Sequence, residues 1–426
     1  MSCEESSPTP VEPPSASATR DRGGLAAYRS LPAAAGWGFL VATGLGRLPL
    51  SMVPLAILTL ASAATGSIAV GGVAAAASAL GEAVGAPVAG ALTDRHGQRR
   101  VLLIGVVLHL AALLAFGASA GLAPDSVVVM LAGAAGLTLP QVGALSRARW
   151  LVVAPQHRQT AFAFEGAIDE VVYIFGPALV GLIAVVSGPA AALIVSGLLV
   201  AVFVSWFAVH PSHRLVPRRR KRSATAGDAR PPRMRGRDRL LVAVAFTGML
   251  AMGVFFGASQ TGLTAFAEEA GISGAGPLLY AVMAVGSAAT TLAMVAVPGR
   301  IRPWARWMIA GAGMTAGSLL LVLADDTAMV IVACVLAGAF QGPLMLTVFD
   351  VSGSVARPGS GGIVMTLTAS GVVLGLAVGA AVSGVLAEQL GSAGAFVVVL
   401  AVSALQVVLG FGMRLVAQAP SPVTGS

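Results

Sequence analysis

The sequence is short of charge. Only 10% of its 426 residues are Asp, Glu, Lys or Arg, against about 25% in a soluble globular domain. A chain of this length with so few charges cannot clothe a folded surface that faces water. Lysine is nearly missing: Lys221 is the single one, and arginine supplies the rest of the 26 basic residues. Cysteine is confined to Cys3 in a polar tail and Cys334 in an apolar run, which argues against a disulfide or metal framework. The five histidines, His96, His109, His157, His210 and His213, lack metal-ligand spacing with cysteines or acids. No Walker-type phosphate loop is present, so ATP is not the expected power source. No catalytic constellation stands out, and no enzyme activity, cofactor or metal is expected. Aromatic residues, at 5%, lean slightly against a cavity for large flat drugs.

What is present is apolar. Hydrophobic residues make up 56% of the chain and mean hydropathy is +0.87. They fall in blocks longer than the roughly 18 residues needed to cross the hydrocarbon of a bilayer. Only helices or closed barrels satisfy their backbone there, and the alternating ten-residue segments of a barrel are absent. The fold expected is an all-α membrane protein with twelve transmembrane helices. The spans read as 33–60, 67–92, 101–122, 127–151, 161–186, 189–210, 239–266, 276–298, 304–324, 328–352, 361–386 and 392–416. Residues 1–32, rich in Ser, Pro and Glu, read as a disordered tail and not as a cleaved signal.

The cations alternate. Connections 61–66, 123–126, 187–188, 267–275, 325–327 and 387–391 contain no Arg or Lys, and their charges are Asp125, Glu268, Glu269, Asp325, Asp326 and Glu388. The others hold Arg95, Arg99, Arg100, Arg158, a cluster over 214–239, Arg300, Arg302 and Arg357. The positive-inside rule then places both termini in the cytoplasm. The net charge of +8 is thus topogenic, and no nucleic-acid partner is expected. The long basic loop 211–238, with Arg218-Arg219-Arg220-Lys221-Arg222, reads as a cytoplasmic linker. It divides a six-helix bundle over 33–210 from a second over 239–416, with a short cytoplasmic tail at 417–426.

The two halves look related. Gly176, Ala178, Gly181, Ala184, Gly188, Ala190 and Ala192 recur at a constant spacing as Gly379, Ala381, Gly384, Ala387, Gly391, Ala393 and Ala395. Leu131-Ala-Gly-Ala134 recurs as Leu336-Ala-Gly-Ala339 at nearly the same spacing. Internal repeats of this kind, giving two pseudo-symmetric bundles, mark transporters.

After the second span stands Gly90-Ala-Leu-Thr-Asp94-Arg95-His96-Gly97-Gln98-Arg99-Arg100. Gly97 permits a tight turn, Gly90 permits close helix approach, and Asp94 can accept from a helix N-terminus or an arginine. This segment resembles the signature loop of the major facilitator superfamily in residues and in position, and the likeness in topology covers residues 33–416. The resemblance implies a gating loop that latches the two bundles in the outward-open state, through Asp94, Arg95 and Arg99 or Arg100. The corresponding segment of the second half, from Gly299 to Arg306, keeps basic residues and lacks the acid. Gly176-Pro177 with Gly181 is similar to part of the family's antiporter motif, although Val172 stands where glycine is expected. The fourth-span arginine pattern of drug antiporters is not evident, since Arg147 follows Gln141 and Gly143.

Ionisable residues inside spans are costly and often functional. Here they concentrate in the first half: Arg47, Glu82, Glu165, Asp169 and Glu170. Thr43, Arg47 and Ser51 are four apart and share one helical face. Arg47 either binds an anionic group of a substrate or pairs with Glu82 or Asp169. Glu165, Asp169 and Glu170 either carry protons, since burial favours a protonated carboxyl, or form a salt-bridge network with Arg95, Arg147 or Arg149, to which Asp350 belongs as well. In the resembled fold spans one, four, seven and ten line the cavity, which makes Gln141, Gln260, Thr264 and Gln341 candidate ligand contacts or interhelical hydrogen bonders.

The function expected is secondary active transport of a small organic molecule by alternating access, as proton-coupled export. The alternatives are an importer of a small anionic nutrient anchored by Arg47, or a non-transporting membrane sensor that kept the fold. Expected partners are the small-molecule substrate, protons and the lipid bilayer, with the chain a monomer. The bias to Arg over Lys and to Ala, Gly and Val points to a bacterial plasma membrane.

Overall fold

The computed structural model describes residues 25–217, 236–272, 275–297 and 301–418. Among them every regular element is helical. The first ten apolar spans are Trp37–Thr65, Val70–His96, Gln98–Ser119, Asp125–Val153, Pro155–Ser187, Pro189–Val209, Gly236–Glu269, Gly276–Ala296, Pro303–Val322 and Thr327–Val355. The helix Gly361–Gln418 is two spans in one, because Gly391 (φ 69°, ψ −166°) breaks it. Only glycine enters that backbone region without strain. Glu269, at the end of span 7, holds the new helix start by accepting from Ser392 N at 2.7 Å and Ser392 Oγ at 2.6 Å. The described residues therefore hold twelve spans.

Three spans are irregular in mid-course. Span 1 is interrupted at Gly46–Arg47, between the helices Trp37–Leu45 and Leu48–Thr65. Span 4 is interrupted over residues 139–141, where Leu139 and Pro140 end the helix Asp125–Thr138 before Val142–Val153 begins. Span 6 carries a π-helical turn, Val200–Val204. Such interruptions leave backbone groups for side chains or ligands to satisfy, and in membranes they are tolerated only where they face protein or a cavity.

Spans 1–6 and 7–12 form the two bundles. The bundles meet where span 2 crosses span 11 and span 5 crosses span 8, with further contact of span 4 on span 11 and span 5 on span 10. The repeat has a physical counterpart in the packing. Gly176 of span 5 lies against Ser51 of span 1, and Gly379 of span 11 lies against Val254 of span 7. Gly133 of span 4 faces Ala77 of span 2, and Gly338 of span 10 faces Met283 of span 8. Small residues recur in both halves because backbones touch at the same places.

The N-terminal boundary differs from the expectation. Residues 25–32, expected to be disordered, include a 3-10 turn, Leu25–Arg29, and the start of the helix Ser30–Ala35. The Tyr28 hydroxyl donates to Leu292 O of the other bundle at 2.8 Å, and Leu31 is buried. These contacts hold the segment in place. The rest of that tail, the Arg218–Arg222 cluster, Arg300 and residues 419–426 lie outside the described residues.

Close backbone approach makes a testable demand. A Cβ at Gly136 would collide with the Ser78 carbonyl, whereas one at Gly181 would meet open space. Gly136→Val is expected to destabilise the fold by about 1–3 kcal/mol, the usual cost of overpacking. Thermal unfolding in detergent checks this, with Gly181→Ala expected to melt as the parent does.

Candidate functional site

The two broken helices set the site. The interruption of span 1 turns Arg47 inward, and that of span 4 presents Gln141 and the Gly143 carbonyl. Arg47 is 1% exposed, and its guanidinium is saturated at both terminal nitrogens. Nη1 donates to Asp169 Oδ1 at 2.9 Å and Glu165 O at 3.1 Å. Nη2 is ion-paired with Glu165 and donates to Ser146 Oγ at 2.8 Å and Gly143 O at 3.3 Å. Gly143 is small because Arg47 lies over it: a Cβ there would stand 3.1 Å from Nε.

The acids of span 5 have different partners. Glu165, fully buried, accepts from Trp150 Nε1 at 2.6 Å and Ser146 Oγ at 2.5 Å besides its pairing with Arg47. Asp169 bridges Arg47 and Arg147, the latter at 2.5 Å, and Arg147 stacks over the Phe349 ring of span 10 at 3.9 Å. Glu170 points the other way. It accepts from Ser287 Oγ of span 8 at 2.5 Å and Gln341 Nε2 of span 10 at 3.1 Å, so its partners belong to the opposite bundle and are neutral. Glu82 of span 2 receives one long hydrogen bond, from Gln141 Nε2 at 3.4 Å. Among the described residues neither Glu82 nor Glu170 has a cation partner.

Several pairings expected from the sequence are corrected by this geometry. Arg47 pairs with Asp169 and Glu165 and not with Glu82. Arg149 does not join the acids: it donates to Gln98 Oε1 at 2.7 Å, Phe207 O at 2.8 Å and Ser212 Oγ at 3.0 Å, with its guanidinium over the Phe207 ring. Asp350 pairs with Arg158 at 2.9 Å, apart from the Arg47 network. Arg95 is exposed. Ser51 donates to Val172 O at 2.9 Å beneath Gly176 and makes a helix contact, beside Pro177 in span 5. Thr43 is buried with its hydroxyl unpaired.

A cavity lies between the bundles at this level. Its lining includes Arg47, Glu82, Gln141, Asp169, Glu170 and Tyr173 from the first bundle and Phe256, Tyr280 and Phe349 from the second. Gln260 and Thr264 are exposed. Thr264 Oγ1 donates to Gln260 O at 2.8 Å. Gln341 is buried behind Glu170, and its Oε1 has no hydrogen-bond partner. Sequence reasoning misses Ser287, Tyr280, Ser146 and Trp150. Serines and aromatics of a hydrophobic helix carry no local signal of what they face.

One end of the molecule is fastened. Asp94 Oδ1 and Oδ2 accept from Gly362 N and Ile363 N, each at 2.9 Å, at the start of span 11. These amides are unsatisfied within their own helix, and a carboxylate there also faces the positive end of the helix dipole. Gly90 packs against Thr366 and the Gly362 carbonyl, and Gly97 makes the turn with φ 87°. The Arg158–Asp350 pair, Tyr28 to Leu292 O, and Gln159 Nε2 to Met294 O at 2.8 Å join the bundles at the same end. Burial pushes the Tyr28 hydroxyl up to about 12, so it stays a donor. Burial and the neighbouring Arg149 and His213 lower His210, which shares a hydrogen bond with Ser212 Oγ at 3.0 Å. Arg99 and Arg100 are exposed. No group of three His, Cys, Asp or Glu among the described residues is placed to hold a metal.

Known transporters share this arrangement of helices. The human organic anion transporter MFSD10 (TETRAN) superposes with a TM-score of 0.67 at 17% identity, covering 90% of this chain and 99% of that one. A bacterial homologue of the iron transporter ferroportin, in an outward-facing state, superposes with a TM-score of 0.71 at 16% identity, covering 88% and 98%. At such identities the likeness is one of fold. No curated protein sequence matches. The sequence profile described as Major Facilitator Superfamily matches residues 39–371. With most of the chain inside that match, the protein belongs to the major facilitator superfamily and is a multi-pass membrane transporter, not an enzyme.

Proposed function

We propose that the chain is a secondary active transporter that exports a small organic molecule across a bacterial plasma membrane in exchange for protons, by alternating access. The observation that carries the proposal is Glu170. It is a buried carboxylate of one bundle, without a cation, hydrogen-bonded to Ser287 and Gln341 of the other. A buried charge without compensation is costly, and binding a proton removes it. Protonation also turns one carboxyl oxygen from acceptor to donor, so it alters the seam between the bundles directly. Asp169, in contrast, is ion-paired with two guanidiniums.

Orientation follows from charge. Arg95, Arg99, Arg100, Arg158 and Arg357 collect at the Asp94 end, which the positive-inside rule assigns to the cytoplasm. On that assignment the Asp94 contacts close the cytoplasmic side. A transport cycle then has the carboxylates take protons from outside in this state and lose them inside after the Asp94 latch opens, while substrate travels the opposite way. The anion-importer alternative loses its anchor, since both terminal nitrogens of Arg47 are engaged by protein groups.

Growth of an overexpressing strain across a compound panel tests the direction. Resistance with lowered accumulation, abolished by a protonophore, is expected, and growth-promoting uptake instead would overturn export. For a compound so identified, Glu170→Gln is expected to cut gradient-driven export in vesicles at least tenfold while the protein melts normally. Asp169→Asn is expected to cost about 3–5 kcal/mol of stability, as for one partner lost from a buried ion pair. Gradient-driven export at the parent rate by Glu170→Gln would refute its carrier role. Asp94→Ala removes two charge-assisted hydrogen bonds, worth roughly 1.5–3 kcal/mol each. Hydrogen exchange at Gly362 and Ile363, followed by mass spectrometry, is expected to accelerate at least tenfold in that variant.

A further inference from the structure

We infer that a groove on the outer face of the first bundle, between spans 2, 3 and 4, holds an acyl chain of an anionic phospholipid whose phosphate sits on Arg100 and His96. The groove has a volume of about 480 Å³. The interruption of span 4 lines it through Leu139, Pro140 and Gln141. Val88 and Leu92 of span 2 and Ile104 and Leu108 of span 3 also line it, and all four are exposed. Apolar walls of this kind offer water too few partners and gain dispersion contacts from a hydrocarbon chain. Gly105 keeps the space open. A Cβ there would come no nearer than 3.9 Å to Pro140 Cγ or Thr138 O, so no neighbour in the protein demands a glycine.

Length and charge select the occupant. Gly85 packs on the Leu137 carbonyl at one end of the groove, and His96 and Arg100 stand at the other. From Gly85 to His96 is eleven residues, or about 16 Å of helix, roughly half the hydrocarbon thickness of a bilayer. A chain lying along it therefore spans one leaflet and brings its headgroup to the two basic residues. Arg100 is exposed and makes no ion pair among the described residues. His96 is exposed too, with Nδ1 3.3 Å from Leu92 O. No acid lines the groove, and Asp94 accepts from the span 11 amides of Gly362 and Ile363 instead. Basic pockets between spanning helices at this depth suit anionic headgroups, whereas a zwitterionic lipid would bring its ammonium toward the same cations. Pro140 and Gln141 line both this groove and the central cavity. The lipid chain thus packs against the interruption of span 4 from the side opposite Arg47 and Glu82.

The test is photolabelling of the full-length protein in phosphatidylcholine vesicles that contain a minor share of phosphatidylglycerol with a diazirine in mid-chain. Peptide mapping by mass spectrometry locates the label, and no gradient or substrate is needed. Label is expected to concentrate on residues 85–92 and 101–108, above the other exposed spans. Unlabelled phosphatidylglycerol is expected to displace it better than added phosphatidylcholine does. Arg100→Gln is expected to lower that preference roughly fivefold, the usual effect of one cation near an anionic lipid surface. Gly105→Leu places a side chain in the groove and is expected to cut labelling there at least tenfold. Melting curves in detergent establish that both variants are folded. Label spread evenly over the exposed spans would leave only a general lipid coat and overturn the inference. Equal displacement by the two lipids, or parent-level labelling of folded Gly105→Leu, would overturn it as well.

Discussion

The guanidinium of Arg47 is the interaction on which the first bundle depends. An arginine inside a bilayer cannot shed its proton, and leaving it unpaired costs several kcal/mol. Its solution draws in three spans at once: Glu165 and Asp169 from span 5, and Ser146 and the Gly143 carbonyl from span 4, around Arg47 of span 1. The breaks in spans 1 and 4 fall beside this hub. The consequence reaches outward through Asp169 to Arg147, and through Arg147 to Phe349 on the other bundle. Because this hub consumes both cations, the remaining acids of the cavity, Glu82 and Glu170, have neutral partners among the described residues.

The two bundles share a scaffold and differ in charge. Gly176 on Ser51 and Gly379 on Val254 are matching contacts of the repeat, and both rely on small residues where helices touch. The arginines and acids of the cavity come from spans 1, 2, 4 and 5, and the second bundle answers with neutral groups: Ser287, Gln341, Tyr280 and Phe349. A charge that moved between two charged bundles would have to be desolvated and repaired at each step. The groups that meet Glu170 across the seam, Ser287 and Gln341, are neutral donors.

Most of the fold was legible because bilayer thickness imposes a length on every apolar block. The Gly391 break was legible too, since an acid and a glycine divide an apolar run that is too long for one crossing. The site was legible in its members and not in its pairings. Arg147 and Arg149 are two residues apart, so they point to opposite sides of a helix, and only one of them can meet the span 5 acids. That much is readable in the sequence. Asp169 and Glu170 are adjacent and about 100° apart on the helix. One turns to its own bundle and the other to the seam, and no local feature distinguishes them. Ser287 and Trp150 gave no signal at all, since their role depends on which side chain of another span arrives beside them.

Span 5 joins the candidate site to the fastened end. Arg158 and Gln159, at its start, reach Asp350 and the Met294 carbonyl of the second bundle. Glu170, twelve residues on, or about 18 Å along a helix, reaches Ser287 and Gln341 of that same bundle. Between them Glu165 and Asp169 tie the helix to Arg47. Span 5 is thus tied to its own bundle by Arg47 and makes side-chain polar contacts with the other bundle at two levels. A change in the bonding of Glu170 that lets the bundles tilt must also strain the Arg158 and Gln159 contacts, because a continuous helix cannot bend locally without losing backbone hydrogen bonds. Coupling between site and latch then needs no chain of intermediate side chains. It requires only that one helix be stiff, that its fixing point be the buried Arg47 hub, and that its contacts with the other bundle be neutral or exposed enough to break.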